Sequence, residues 1–171
     1  ESMRARKIPM YLIAIFMSVL MLSLSSTKVS AAAPQTTFLK PYSAVYSTIW
    51  KKGISLKVEG KQTLSKQSDN LWRFVFSADS MIASLNESST FQVKDHQIIP
   101  QKYEYKSTVL GKKRTATLTF DWEKNLVRND VKDKPWNLAI NPNTLDKLSI
   151  QLQVRQDLKL GKNEFDYQIA D

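Results

Sequence analysis

Between Ala116 and Trp122 the chain alternates strictly. Ala116, Leu118, Phe120 and Trp122 fall on one parity, while Thr115, Thr117, Thr119 and Asp121 fall on the other. A period of two sustained over this length predicts a β-strand with one face buried. The same pattern recurs elsewhere. Trp72, Phe74, Phe76 and Ala78 share a parity, as do Tyr103, Tyr105, Ser107 and Val109, and as do Ile54, Leu56, Val58 and Leu64. Further strands are expected over Tyr42–Trp50, near Ser88–Val93, and at "NLVRNDV". Short polar segments, "KKG", "KQSDN", "KDHQ", "LGKKR" and "EKN", separate them as hairpin turns. Gly60 sits inside one of these runs, where a missing side chain predicts a bulge or a bend.

One segment breaks the period. In "NPNTLDKLSIQLQVRQDLKLG" the residues Leu145, Leu148, Leu152 and Val154 recur at roughly helical spacing. The pattern predicts a helix over Thr144–Leu160, capped by Asn143 or Thr144 and ended by Gly161. Asp146 and Ser149, three apart, are neighbours on one helix face. They are candidate polar contacts to a ligand or partner. The simpler reading has Asp146 favouring the helix N-terminus electrostatically and Ser149 bonding to nearby backbone. "NEFDYQIAD" then returns to strand-like text and stops without a closing turn, as expected of a truncated chain. Consecutive antiparallel strands with a single helix predict a mainly β fold. The expected architecture is a strongly curved antiparallel sheet, half-barrel or sandwich-like, with one helix packed on it. Only 4 glycines favour an open curved sheet over a small closed barrel that needs many bends.

The N-terminus obeys another logic. Arg4, Arg6 and Lys7 precede an apolar run from Ile8 to Leu24, followed by polar residues and "VSAAAP". Basic head, apolar middle and small-residue exit are the parts of a secretory signal peptide. The run is short of the roughly 20 residues a membrane-spanning helix requires. Cleavage is expected near Ala31–Ala32, since a cut after Ala33 would leave Pro34 in a disfavoured position. The expected organisation is a signal-peptide helix at 1–31, a linker at 32–41 and a single β domain at 42–171. Membrane contact would come only through an uncleaved signal peptide. The chain has no cysteine, which excludes both disulfides and an acylated-cysteine anchor. Such a chain fits the bacterial periplasm.

Charge changes the picture little. The net charge is +9, but the leader holds Arg4, Arg6, Lys7 and Lys28 against Glu1, and removing its net +3 leaves +6. The remaining lysines are scattered rather than clustered, which argues against nucleic acid and suits anionic envelope components. No catalytic residue is assigned. The single histidine, His96, lies in a turn without a candidate nucleophile, and Asp121 and Glu123 flank Trp122 as strand-end surface residues. With one His and dispersed carboxylates, neither a metal site nor a cofactor is expected. Ser88 and Ser89, near Asn86 and Glu87, read as hairpin polarity.

The aromatic residues are the remaining signal. Any one of them is ordinary core, but together they line one face of several strands. Trp72, Phe74, Phe76, Tyr103, Tyr105, Phe120 and Trp122 are therefore the candidate ligand-binding residues of a concave apolar surface.

"YSAVYSTIWKKGI", the "FDW" at Phe120–Trp122, "PWNLAINPNTLDKLSIQLQVRQDL" and "FDYQIAD" together resemble a family of bacterial periplasmic proteins catalogued as domain of unknown function 3108. The likeness runs from about Tyr42 onward and is most specific at Asp146, Leu148, Ser149, Arg155 and Tyr167. It implies an exported, mainly antiparallel β protein, and it carries over no catalytic residues. Two non-catalytic readings follow from the residues. The first is an envelope module holding a lipid-like or apolar ligand on the concave aromatic face. The second is an assembly factor engaging an envelope protein or polysaccharide through a sheet edge. A carboxylate-dependent hydrolase is the third.

Overall fold

A computed structural model describes residues 38–52, 54–131 and 134–171. The leader at 1–31 and the linker up to residue 37 lie outside the described residues. Eight strands follow in chain order: β1 (Tyr42–Lys52), β2 (Ile54–Ser68), β3 (Leu71–Asp79), β4 (Ala83–Lys94), β5 (Gln97–Val109), β6 (Lys112–Asp121), β7 (Leu126–Asn129) and β8 (Trp136–Ala139). Each pairs with its sequence neighbour, giving one antiparallel sheet in the order β1 to β8 that does not close on itself. Then come β9 (Thr144–Asp146), the helix α1 (Ser149–Lys159) and β10 (Gln168–Ala170), with β9 and β10 pairing in parallel.

Alternation puts the apolar parity of every strand on one inner face. The register carries a central row across seven of the strand pairings: Tyr42, Leu64, Phe74, Ser89, Tyr103, Leu118, Asn129 and Trp136 stand opposite one another in turn. The register shifts between Lys66 and Ser68 and again between Thr90 and Phe91. Such bulges bend their strands and add to the curvature. The bend expected at Gly60 falls elsewhere. That residue is paired in register with Tyr46 and Ala78.

The turns follow local chemistry. Asp95–His96 and Leu110–Gly111 both hold positive φ at each central position, the mirror-image turn whose twist suits a tight hairpin. Two-residue loops at 69–70 and 95–96, with the turn at 122–125, gather at one end of the sheet. The β3–β4 and β5–β6 turns gather at the other, open end.

β9, α1 and β10 cover the inner face near the 95–96 end. Leu145, Leu148 and Leu152 enter the same buried cluster as Trp72, Phe74, Phe91, Tyr103 and Leu118. Gln153 fixes the helix to the sheet. Its Oε1 accepts the Ile98 N–H at 2.7 Å, and its Nε2 donates to the His96 carbonyl at 3.1 Å. The Gln97 amide donates to the Pro142 carbonyl at 2.6 Å.

The helix is shorter than its sequence pattern predicts. Residues 144–146 form a strand, because Leu145 and Leu148, both fully buried, sit three apart by coincidence of a strand end and a helix start. Thr144 does not cap the helix. Its hydroxyl accepts the Asn141 N–H and donates to Gln168. Gly161 does end it, at φ +80°.

Candidate functional site

The candidate rings occupy two settings. Trp72, Phe74, Tyr103 and Phe120 are buried in the central cluster under the covering layer. A ligand cannot reach Phe74, which is fully enclosed. Phe76, Tyr105 and Trp122 are only partly buried and pack on the cluster's margin. Trp122 lies beyond the end of β6, stacks on Phe120 at 5.9 Å, and donates its indole N–H to the Pro100 carbonyl at 2.7 Å. That bond ties it to the strand end rather than to any opening.

Toward the open end two further rows of the inner face run past the covering layer. The first reads Ala44, Gln62, Phe76, Glu87, Tyr105 and Ala116. The second reads Tyr46, Gly60, Ala78, Leu85, Ser107 and Arg114. Gly60 and Ala78, side by side on this second row, form a low floor beside Phe76, bounded by Tyr46 and Leu85; Ser107 lies beyond Leu85. At Gly60 a Cβ would sit in ordinary contact, 3.7 Å from the Phe76 ring and the Ser77 carbonyl oxygen and 3.9 Å from Tyr46 Cβ. Arg114 is exposed at one rim. Lys147, on the link between β9 and α1, stands 6.0 Å and 5.7 Å from the ring centroids of Tyr103 and Tyr105 and pairs with Asp171 at 2.6 Å. The face thus offers rings and small residues, interleaved with Gln62, Glu87 and Ser107, with cations beside them.

Beneath the covering layer Asp146, Ser149 and Ser89, and Tyr103 with Glu87, satisfy one another. Asp146 is fully buried, and its Oδ1 accepts the N–H groups of Leu148 at 2.9 Å and Ser149 at 2.8 Å. Its Oδ2 accepts the Ser89 hydroxyl at 2.6 Å. Burial pushes the Asp146 carboxyl above the usual aspartate range, against the pull of these donors. Ser149 accepts the Asp146 N–H and donates to the Asp146 carbonyl. Ser149 is the first residue of the helix but Asp146 is the last of β9, so the two do not share a helix face as their spacing suggested. Asp146 instead accepts the N–H groups at the strand-to-helix junction and pins it to β4. Tyr103 donates its hydroxyl to Glu87, and burial, then this bond, raises the phenol well above its ordinary range. Glu87 and Ser89 are mid-strand and inward, not hairpin polarity. They alternate with Leu85 and Phe91, so the period of two already marked them. Two buried polar atoms on the central row lack a partner, Tyr42 Oη and Asn129 Oδ1.

A separate polar cleft of about 350 Å³ opens beside the C-terminal end of α1, between His96, Gln153, Asp157, Lys162 and Tyr167. Asp157 is buried in its wall and accepts from Gln153 at 3.2 Å, from Lys162 at 3.1 Å and from the Tyr167 hydroxyl. With its oxygens so occupied, Asp157 closes the loop after the helix. Asp121 is similarly engaged. It accepts the Lys124 N–H at 3.0 Å, which, ahead of the nearby ammonium, lowers its carboxyl below the usual range. Glu123 is exposed.

The architecture is that of an open antiparallel β protein with a helix and a parallel strand pair laid on part of its inner face. Residues 42–171 match the family model described as Protein of unknown function (DUF3108), and the chain belongs to that family. No curated protein matches the chain. No solved structure matches it either.

Proposed function

We propose that this protein is a non-catalytic binding module of the periplasmic cell envelope that holds a lipid-like amphiphile on the uncovered part of its inner face. One observation carries the reading. Gly60 and Ala78 form a low floor beside Phe76, Tyr105 stands two strands on with the Lys147 ammonium 5.7 Å from its ring, and Arg114 is exposed at the rim. Rings and small residues suit an acyl chain, and the cations suit its anionic head. The leader-like N-terminus supports export. The buried Trp72, Phe74, Tyr103 and Phe120 back this floor rather than touch the ligand.

Organic extraction of the protein purified from its own envelope, followed by mass spectrometry, tests the proposal. A fluorescent fatty-acid analogue supplies the binding readout. Ala78→Leu fills the floor with a residue of the same apolar character and should weaken the analogue about tenfold while leaving the unfolding midpoint near that of the wild type. No extracted amphiphile, together with equal binding by Ala78→Leu, overturns it.

A second reading rests on a different feature. β1 pairs on one side only, and its exposed Val45 and Ile49 lie along the free edge. An extended segment of an envelope protein would add there as a further strand. Crosslinking from a cysteine placed at Val45, unique in this chain, distinguishes protein capture from lipid holding.

A further inference from the structure

The two hairpins that end at the open end are built unlike the rest of the sheet. Met81 is 89% exposed and Leu110 is 73% exposed, with Ile82 and Val109 beside them. The turns are tied together, since the Leu110 N–H donates to the Ile82 carbonyl at 2.9 Å. Within the β3–β4 turn, Ser80 and Ala83 exchange backbone and hydroxyl hydrogen bonds. The four apolar side chains therefore project together from a braced tip. Immediately behind them stand Lys112, Lys113 and Arg114, opposite Val109, Thr108 and Ser107. All three are exposed, and none forms an ion pair among the described residues. Asp79, opposite Ser84, is the acid nearest this tip on the same hairpins.

The hairpin turns of the sheet's other end differ. They carry Asp69, Asp95 and Glu123, and the exposed apolar side chains near that end, Leu160 and Phe165, belong to the segment after the helix and line the polar cleft. Leu110 is itself unfavourably placed. It holds φ +48° at a turn position that Asn or Gly occupies at lower cost, and it puts an isobutyl group into water. Neither folding nor solubility explains such a residue.

We infer that the open end is a docking surface for an anionic lipid bilayer. Met81, Ile82, Val109 and Leu110 enter the boundary between headgroups and acyl chains, and Lys112, Lys113 and Arg114 meet the phosphates behind them. Apolar tips backed by unpaired cations match the layering of a bilayer surface. A protein groove would need no such layering. The inference goes beyond the proposed amphiphile site and shares only Arg114 with it.

The absence of native cysteine allows a single environment-sensitive fluorophore to be placed at Met81→Cys or, as a control, at Lys124→Cys at the far end. The full chain is mixed with vesicles of phosphatidylcholine alone, or of phosphatidylcholine with phosphatidylglycerol. The Met81 label should shift to the blue with the anionic vesicles and much less with the neutral ones, while the Lys124 label stays unchanged. Leu110→Asn should weaken partitioning about tenfold while holding or raising the thermal midpoint, because Asn suits the turn. Reversing Lys112 and Lys113 to Glu should weaken it by at least about tenfold and remove most of the salt dependence. Equal shifts at both ends, indifference to the anionic lipid, or a Met81 shift that grows with protein concentration in the absence of vesicles each overturn the inference. The last would assign the tip to a second copy of the chain.

Discussion

Replacing Asp146 by alanine should strip the covering layer of its anchor. Three buried donors lose their acceptor at once: the N–H groups of Leu148 and Ser149, and the Ser89 hydroxyl. Hydrogen bonds to a charged acceptor contribute about 1.5–3 kcal/mol each, and buried donors left unpaired cost comparably. Part of this is offset, because burial already disfavours the Asp146 carboxylate. A net loss of about 3–5 kcal/mol follows, the usual result of removing one partner from a buried charged network. With a urea slope of about 2 kcal/mol per molar, the unfolding midpoint should fall by about 2 M. Asp146→Asn keeps an acceptor for the two backbone groups and should cost only about 1 kcal/mol. Adding Ser89→Ala to Asp146→Ala should cost less than the sum of the two, since they share one bond. The pH dependence has a definite sign. A carboxyl raised in the folded state binds its proton more tightly there than in the unfolded chain. Its contribution is full below the ordinary aspartate range and is lost as pH rises through the folded value. Wild type should therefore lose stability relative to Asp146→Asn between acid and neutral pH. An Asp146→Ala midpoint within about 0.5 M of wild type, at unchanged slope, would refute the reasoning.

Tyr103→Phe should leave the Glu87 carboxylate without its donor and cost about 1.5–3 kcal/mol, read as a lower thermal midpoint. In wild type, alkaline titration followed by ultraviolet absorbance should show Tyr103 ionising only as the protein unfolds. Gln153→Leu should free the Ile98 N–H and the His96 carbonyl together, cost about 2 kcal/mol, and speed hydrogen exchange at Ile98 well before the rest of β5.

The sheet was largely legible because each strand is a neighbour of the next in sequence. Parity alone then determines which side chains face inward, and Trp72, Phe74, Tyr103, Leu118 and Phe120 fell where alternation puts them. Three features escaped that logic. Leu145 and Leu148 sit at helical spacing across a strand-to-helix junction, which moved the helix start from Thr144 to Ser149. Glu87 and Ser89 carry the inward parity, but their polarity pointed to solvent; their partners, Tyr103 for Glu87 and Asp146 for Ser89, lie 16 and 57 positions away in the chain. The uncovered floor depends on how far the covering layer reaches along the sheet. That is a matter of register between distant segments, which no local pattern encodes. Gly60, read as a bulge or bend, is paired in regular register with Tyr46 and Ala78 and holds no bulge.

The neighbour-to-neighbour order of the sheet has a consequence for assembly. Hairpins close over short loops, so β1 to β8 can zip together as the polypeptide emerges, each pairing needing only the strand before it. The covering layer obeys another timetable, since β9 requires residues 168–170 as its parallel partner. Until residues 168–170 arrive, Phe74, Phe91 and Tyr103 stand bare on a finished sheet. Pulse-labelled exchange during refolding should then show protection at the β2–β5 amides ahead of Leu148, Ser149 and Leu152. In that interval the nascent protein displays its stickiest surface to whatever shares its compartment.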